Sequence, residues 1–126
     1  MQKRAGLLFL SKNEKRILLI LEKEKWTVPT FARSKSLFDD SKQALDDFSK
    51  GKILPIELYL SRDKGFEYST YICLVEQEFM PTVVDTFCWS TLDNLPKNIH
   101  NGLRNTLNNN LIRTKIETVL ELENAS

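Results

Sequence analysis

Trp26-Thr27-Val28-Pro29 is the stretch on which the reading of this chain turns. Proline ends the local strand tendency and biases Val28 towards extended geometry. Upstream lie two apolar runs, Ala5 to Leu10 and Arg16 to Glu22, separated by the polar turn Ser11-Lys12-Asn13-Glu14-Lys15. This spacing predicts a hairpin of well-buried strands. Downstream, Thr30 to Ser36 reads as a loop, with Arg33 and Lys35 its only charges. Leu37 to Lys50 then reads as one amphipathic helix. Leu37, Ser41, Ala44, Leu45 and Phe48 share a face, and Asp39, Asp40, Asp46 and Asp47 take the other. Acids in the first turn suit the helix dipole, and Gly51 is a natural stop.

Further on, Ile56, Leu58 and Leu60 alternate with polar neighbours as in a half-buried strand, and Arg62-Asp63-Lys64-Gly65 supplies a turn. Phe66 to Val75 alternates again, with Phe66, Tyr68, Thr70, Ile72 and Leu74 on one side, and Val83 to Trp89 reads as another strand. Asp93-Asn94-Leu95-Pro96 signals a turn and helix entry. Leu103, Leu107 and Leu111, continued by Ile112, Ile116, Val119 and Leu120, form the apolar stripe of a helical tail. Asn108-Asn109-Asn110 interrupts it, because asparagine side chains compete for backbone hydrogen bonds. The order of strands and helices predicts a mixed sheet with helices packed against it.

The chain has 126 residues, 41% hydrophobic, enough for one domain with a sizeable core and no metal or disulfide staples. Lysine and arginine (18) nearly balance aspartate and glutamate (17), which argues against an extended nucleic-acid surface. Cys73 and Cys88 lie in apolar stretches and read as buried free thiols. With one histidine, His100, they cannot build a Cys- and His-based zinc site. The longest apolar run, Ile17 to Leu21, is too short for a bilayer, and no secretory leader is apparent. A cytoplasmic location is expected.

The layout around Trp26-Thr27-Val28-Pro29 resembles the Nudix hydrolases: two strands, a W-x-x-P-G-G-like turn, a loop–helix–loop box, more strands and a closing helix. Three phrases in the tail strengthen the likeness. Glu78-Phe79-Met80-Pro81-Thr82, Trp89-Ser90-Thr91-Leu92-Asp93-Asn94-Leu95-Pro96 and Ile99-His100-Asn101-Gly102-Leu103 look like the E-x-F-x-P-T, W-x-x-L-D-x-L-P and L-H-P-G-L phrases of one branch. That branch occurs in bacteria and their viruses. The resemblance implies a Nudix-like α/β/α sandwich over residues 1–126, with a mixed curved sheet, a middle helix and a C-terminal helix.

The resemblance fails at the catalytic box, G-x5-E-x7-R-E-U-x-E-E-x-G-U, whose glutamates hold magnesium or manganese against a diphosphate. With Phe48 at the apolar position, Asp46 and Asp47 replace Arg-Glu, and Lys50 and Gly51 replace the paired glutamates. Phe38 falls where the earlier glutamate belongs, Ala32 at the glycine, and Thr30-Phe31 at the Gly-Gly turn. No glutamate occurs anywhere in this stretch. Active relatives also tend to carry acids before the later tryptophan, where this chain has Val83-Val84-Asp85-Thr86.

The substitute candidates for catalysis are Asp46 and Asp47, and for metal Asp40 and Asp47, seven apart on one helical face. A solvated acidic face has the same spacing, and Lys50 opposes a cation one turn later. Trp26, Phe31, Arg33 and Tyr71 are the ligand-binding candidates. Aromatic faces stack on nucleobases, while Arg33, Lys35 and Arg62 are suited to phosphate. Sheet packing is the favoured account of Tyr59 and Tyr71, and core or rim packing that of Trp26 and Trp89. His100 reads as a capping or packing residue; neither a serine nucleophile motif nor a P-loop is present.

The expectation is a catalytically inactive Nudix-fold protein, in keeping with the bacteriophage side of the branch. It would act as a binding or protein-interaction module for a protein partner, a nucleotide-like small molecule or a second copy of the chain. It would require no cofactor and sit in a host cytoplasm or a virion. Two alternatives stand beside it. One is a hydrolase of nucleoside diphosphate derivatives using Mg²⁺ or Mn²⁺ at an aspartate site. The other is a nucleotide-binding regulator that does not hydrolyse.

Overall fold

The computed structural model describes residues 2–34, 51–81 and 86–124. The expected helix over 37–50, with Asp39, Asp40, Asp46 and Asp47, lies outside the described residues, as do Lys35 and residues 82–85. Seven strands form one mixed sheet: β1 (Gln2–Ser11), β2 (Ile17–Glu22), β3 (Lys25–Thr27), β4 (Thr30–Ala32), β5 (Gly51–Asp63), β6 (Phe66–Val75) and β7 (Phe87–Ser90). Two helices follow, α1 (Asn101–Leu107) and α2 (Asn110–Asn124).

β1 is the axis of the sheet. It runs parallel to β6 over its whole length, from Gln2↔Phe66 to Ser11↔Val75. Its other edge is shared by β4 at one end (Arg4↔Ala32 to Gly6↔Thr30) and β2 at the other (Leu10↔Ile17). Ala5 to Ser11 are all buried, because successive side chains enter two separate cores. Leu8 and Leu10 join Leu19, Ile72, Leu74, Leu107, Ile112 and Ile116 beneath the helices. Leu7 and Phe9 join Leu18, Phe31, Cys73 and Val75 on the opposite face. Burial on both faces is what makes the run read as continuously apolar rather than alternating.

Several expected boundaries move. Thr30–Ala32, expected as loop, is a strand, because β1 offers it an unpaired edge where β2 has turned away. Gly51 begins β5. β5 accommodates Pro55 because it pairs only with β6 at the end of the sheet, and its register shifts there, between Ile53 and Tyr59. Strand structure near Trp89 begins at Phe87 among the described residues. Helix entry comes at Asn101, five residues beyond Pro96.

The asparagine run does break the tail. The Asn109 carboxamide oxygen accepts the backbone N–H groups of Leu111 (2.9 Å) and Ile112 (3.3 Å), capping α2. The break also rephases the apolar stripe. Leu103, Leu107, Ile112, Ile116 and Leu120 are buried, whereas Leu111, expected to continue it, is 74% exposed.

The first two tail phrases act as fasteners. Arg16 donates through Nε (2.6 Å) and Nη2 (2.5 Å) to Glu78, tying the first hairpin to the segment after β6. That bidentate bond raises the Arg16 pKa. Phe79 packs edge-on between Phe9 (5.5 Å) and Trp89 (5.6 Å), and the Trp89 indole donates to the Phe79 carbonyl (3.1 Å). Arg113 reaches Asp93 (2.8 Å), the Leu92 carbonyl (2.9 Å) and the Leu107 carbonyl (2.7 Å). One side chain thus holds α1, α2 and the preceding turn together.

Candidate functional site

A cleft of about 710 Å³ opens between the helix-covered face of the sheet and α1. Its floor comes from residues that alternate onto this face, Arg4 on β1 and Phe66, Tyr68 and Thr70 on β6, with Thr30 of β4 beside them. The register pairs Arg4 with Tyr68 and Gly6 with Thr70. Arg4 donates through Nη2 to the Thr30 hydroxyl at 3.0 Å. The Tyr68 ring lies over Gly6, where a Cβ would collide with the phenol oxygen and approach Val28 to 3.1 Å. Burial raises the Tyr68 pKa, opposed by its hydrogen bond with Thr70 and by the Arg4 charge. The phenol is therefore neutral at physiological pH.

The wall is α1, placed by Trp26. The Trp26 N–H donates to the Asn98 carbonyl, and its carbonyl accepts the His100 N–H, both at 2.8 Å. This pairing delivers Gly102, Leu103, Asn105 and Thr106 to the cleft, with Asn109 at the helix elbow. His100, expected to cap or to pack, occupies the N-cap position but makes no side-chain cap bond. Its ring instead lies over Gly102, 3.1 Å from where a Cβ would stand. Thr27 and Glu22 complete the rim.

This arrangement is amphipathic. Phe66 and Leu103 are apolar surfaces; Tyr68, Asn105 and the threonines are neutral hydrogen-bonding groups; among the described residues Arg4 is the fixed cation and Glu22 the carboxylate. Such a lining suits a largely neutral, flat, heteroatom-rich group with an anionic end. It holds no pair of carboxylates for acid–base work among the described residues. Among the described residues, no three His, Cys, Asp or Glu side chains are grouped as a metal site.

The four sequence-derived ligand candidates separate. Arg33 and Tyr71 meet at 3.4 Å in a shallower groove of about 260 Å³ on the other face, with Lys3, Arg62, Glu67 and Ser69. Phe31 lies on that same face but is 6% exposed within the core. Trp26 packs against the helix-side core. Arg4, Tyr68 and Asn105 were missed. Alternation had placed Tyr68 with Thr70, but the parallel partner that brings Arg4 alongside is 64 residues away and leaves no local signal. Of the thiols, Cys73 is buried and its pKa is pushed up to about 12, whereas Cys88 is only half-buried. No described helix is long and apolar enough to cross a membrane.

No protein-family model matches the chain, and no curated protein matches it. Solved structures do. A Nudix hydrolase from M. smegmatis, RenU, superposes with a TM-score of 0.66 at 15% identity, covering 93% of this chain and 86% of that one. An ADP-ribose pyrophosphatase from Streptococcus suis gives 0.62 at 14% identity, covering 94% and 91%. A C. elegans Ap4A hydrolase gives 0.62 at 13% identity, covering 85% and 93%. Likeness at these identities defines architecture, and the mixed sheet capped by its C-terminal helices is the Nudix fold.

Proposed function

We propose that this chain is a Nudix-fold protein that binds a nucleotide-like small molecule in the Arg4–Tyr68–Asn105 cleft without hydrolysing it. The observation that carries the reading is the cleft itself, large enough for a nucleoside and lined by neutral hydrogen-bonding groups around Arg4. The sequence adds that no glutamate lies between Thr30 and Gly51, where hydrolases of this fold keep their metal-holding carboxylates. Glu22 alone cannot replace them, so no metal-dependent step is derived from the described residues. The hydrolase alternative rests on Asp39, Asp40, Asp46 and Asp47. Placement in the bacterial and bacteriophage branch rests on the three tail phrases.

A thermal-shift screen against nucleotides, ADP-ribose and Ap4A, each with EDTA, Mg²⁺ or Mn²⁺, tests this reading. The last two probes are taken from the named activities of the fold neighbours. Ligand at 100 times its Kd adds about 2.7 kcal/mol of stability. The reading predicts stabilisation in EDTA and no product. Stabilisation only with metal, together with turnover that Asp46→Asn and Asp47→Asn abolish, would establish the hydrolase. No shift across the panel would leave the protein-interaction role, with self-association measured next.

A further inference from the structure

We infer that the outer edge of β7 pairs with the same edge of a second copy of this chain, as an antiparallel two-fold dimer centred on Cys88. β7 lies along β2 from Ile17↔Ser90 to Ile20↔Phe87. One residue further on, the Leu21 N–H donates to the Thr86 carbonyl at 3.1 Å. Hydrogen-bonded pairs alternate with non-bonded ones in an antiparallel ladder, so Leu21–Thr86, Leu19–Cys88 and Ile17–Ser90 are the bonded pairs. The other edge of β2 agrees with this phase, because there the Arg16 carbonyl accepts the Ser11 N–H (2.9 Å). The N–H and C=O groups of Phe87 and Trp89 therefore point away from β2, out of the sheet. Among the described residues nothing pairs with these four groups.

Exposed edges are normally protected by charges, proline or bulges. Thr86 to Leu92 contains no charged residue, proline or glycine. β5, at the far end of the sheet, does have such protection in Lys52, Pro55, Glu57 and its register shifts. β3 is covered through Trp26, whose outward N–H and C=O are taken by Asn98 and His100. Beside β7, Met80 is 76% exposed and follows Phe79, whose ring and carbonyl hold Trp89. The occupant follows from the symmetry of the edge. In an antiparallel copy, Phe87 of each chain stands against Trp89 of the other, and the donors and acceptors close four hydrogen bonds. The same register sets two cross-strand aromatic pairs on the face that Phe87 and Trp89 share, an arrangement that favours pairing, and brings no like charges together. The two Cys88 residues then meet on the axis as a non-bonded pair, with Cα atoms about 4.5 Å apart, within the span of a disulfide.

Sedimentation from micromolar to millimolar concentration in reducing buffer, together with cross-linking by diamide, tests the interface. Wild type is expected to pass from monomer to dimer as concentration rises. Diamide, which takes up the two thiol hydrogens, is expected to join the dimer through a Cys88–Cys88 disulfide located by peptide mass mapping. Cys88→Ser is expected to lose the cross-link and keep the reversible dimer, whereas Cys73→Ser keeps both. Phe87→Pro removes an N–H that points out of the sheet, a change an edge strand tolerates. It takes two of the four bonds from the dimer and is expected to raise the dissociation constant at least about tenfold. Phe87→Ala keeps that N–H and is expected to remain several-fold tighter than Phe87→Pro, which separates backbone pairing from loss of the ring. The wild-type cross-link keeps the test valid if Phe87→Pro folds poorly. A chain still monomeric at millimolar concentration would leave the edge to a strand of another protein and overturn the inference. A dimer that diamide does not join through Cys88, or equal dissociation constants for Phe87→Pro and Phe87→Ala, would overturn it as well.

Discussion

Replacing Gly6 by alanine probes the floor of the cleft directly. An alanine in a strand interior is ordinarily favoured over glycine by about 0.5–1 kcal/mol, so a neutral site would be stabilised. Here the new methyl meets the Tyr68 phenol oxygen well inside contact distance, the Tyr68 Cζ at 3.1 Å and a Val28 methyl at 3.1 Å. Val28 is 1% exposed and cannot yield, while Tyr68 is held by Thr70. Overpacking of this kind costs roughly 1–3 kcal/mol, so the net expectation is a loss of about 1–2 kcal/mol, on the order of 5 °C in Tm. Urea unfolding of wild type, Gly6→Ala, Tyr68→Phe and the double variant forms a cycle. Tyr68→Phe removes the colliding oxygen but leaves the ring, so it recovers part of the loss, a coupling of about 1 kcal/mol. A Gly6→Ala protein as stable as wild type or more so would refute the reasoning, because Tyr68 would then not be seated over β1.

Glu24 and Lys23 both have positive φ (65° and 50°) in the two-residue turn between β2 and β3, and Glu24→Gly is expected to stabilise by about 0.5–1 kcal/mol in urea melts. Asn109→Ala removes the α2 cap and is expected to cost about 1 kcal/mol by the same assay. Cys88 is expected to react with a thiol reagent in the native state, and Cys73 only on unfolding. Because burial raises the folded Cys73 pKa to about 12, the unfolded thiol ionises first. The stability this gives is full below the unfolded value near 8.5–9 and lost as pH rises from there towards 12. The slope is at most about 1.4 kcal/mol per pH unit, seen by comparison with Cys73→Ala.

Local patterns carried most of the elements. The first hairpin, the alternation of Phe66–Val75 and the asparagine break were legible because each depends on neighbours a few residues apart. Boundaries failed where a distant partner decided them. Thr30–Ala32 has loop-like composition but extends because β1 offers hydrogen bonds, and Leu111 leaves the core because the Asn109 cap resets the helical phase. The phrases that carried the family resemblance are packing and clamping residues, Glu78, Phe79, Trp89 and Asp93, which is why they reported architecture and not chemistry. The candidate site was the least legible part. The parallel pairing that places Arg4 beside Tyr68, and the Trp26–Ile99 bridge that brings α1 over them, join segments 64 and 73 residues apart.

The most direct test of the central claim is an amide-resolved NMR titration of the protein with ADP-ribose in EDTA. Metal-independent binding in the cleft predicts saturable shifts at Thr30, Tyr68, Gly102, Asn105 and Thr106, with the ligand recovered intact. Shifts confined to other surfaces, or cleft shifts that require Mg²⁺ and end in cleaved ADP-ribose, would contradict it.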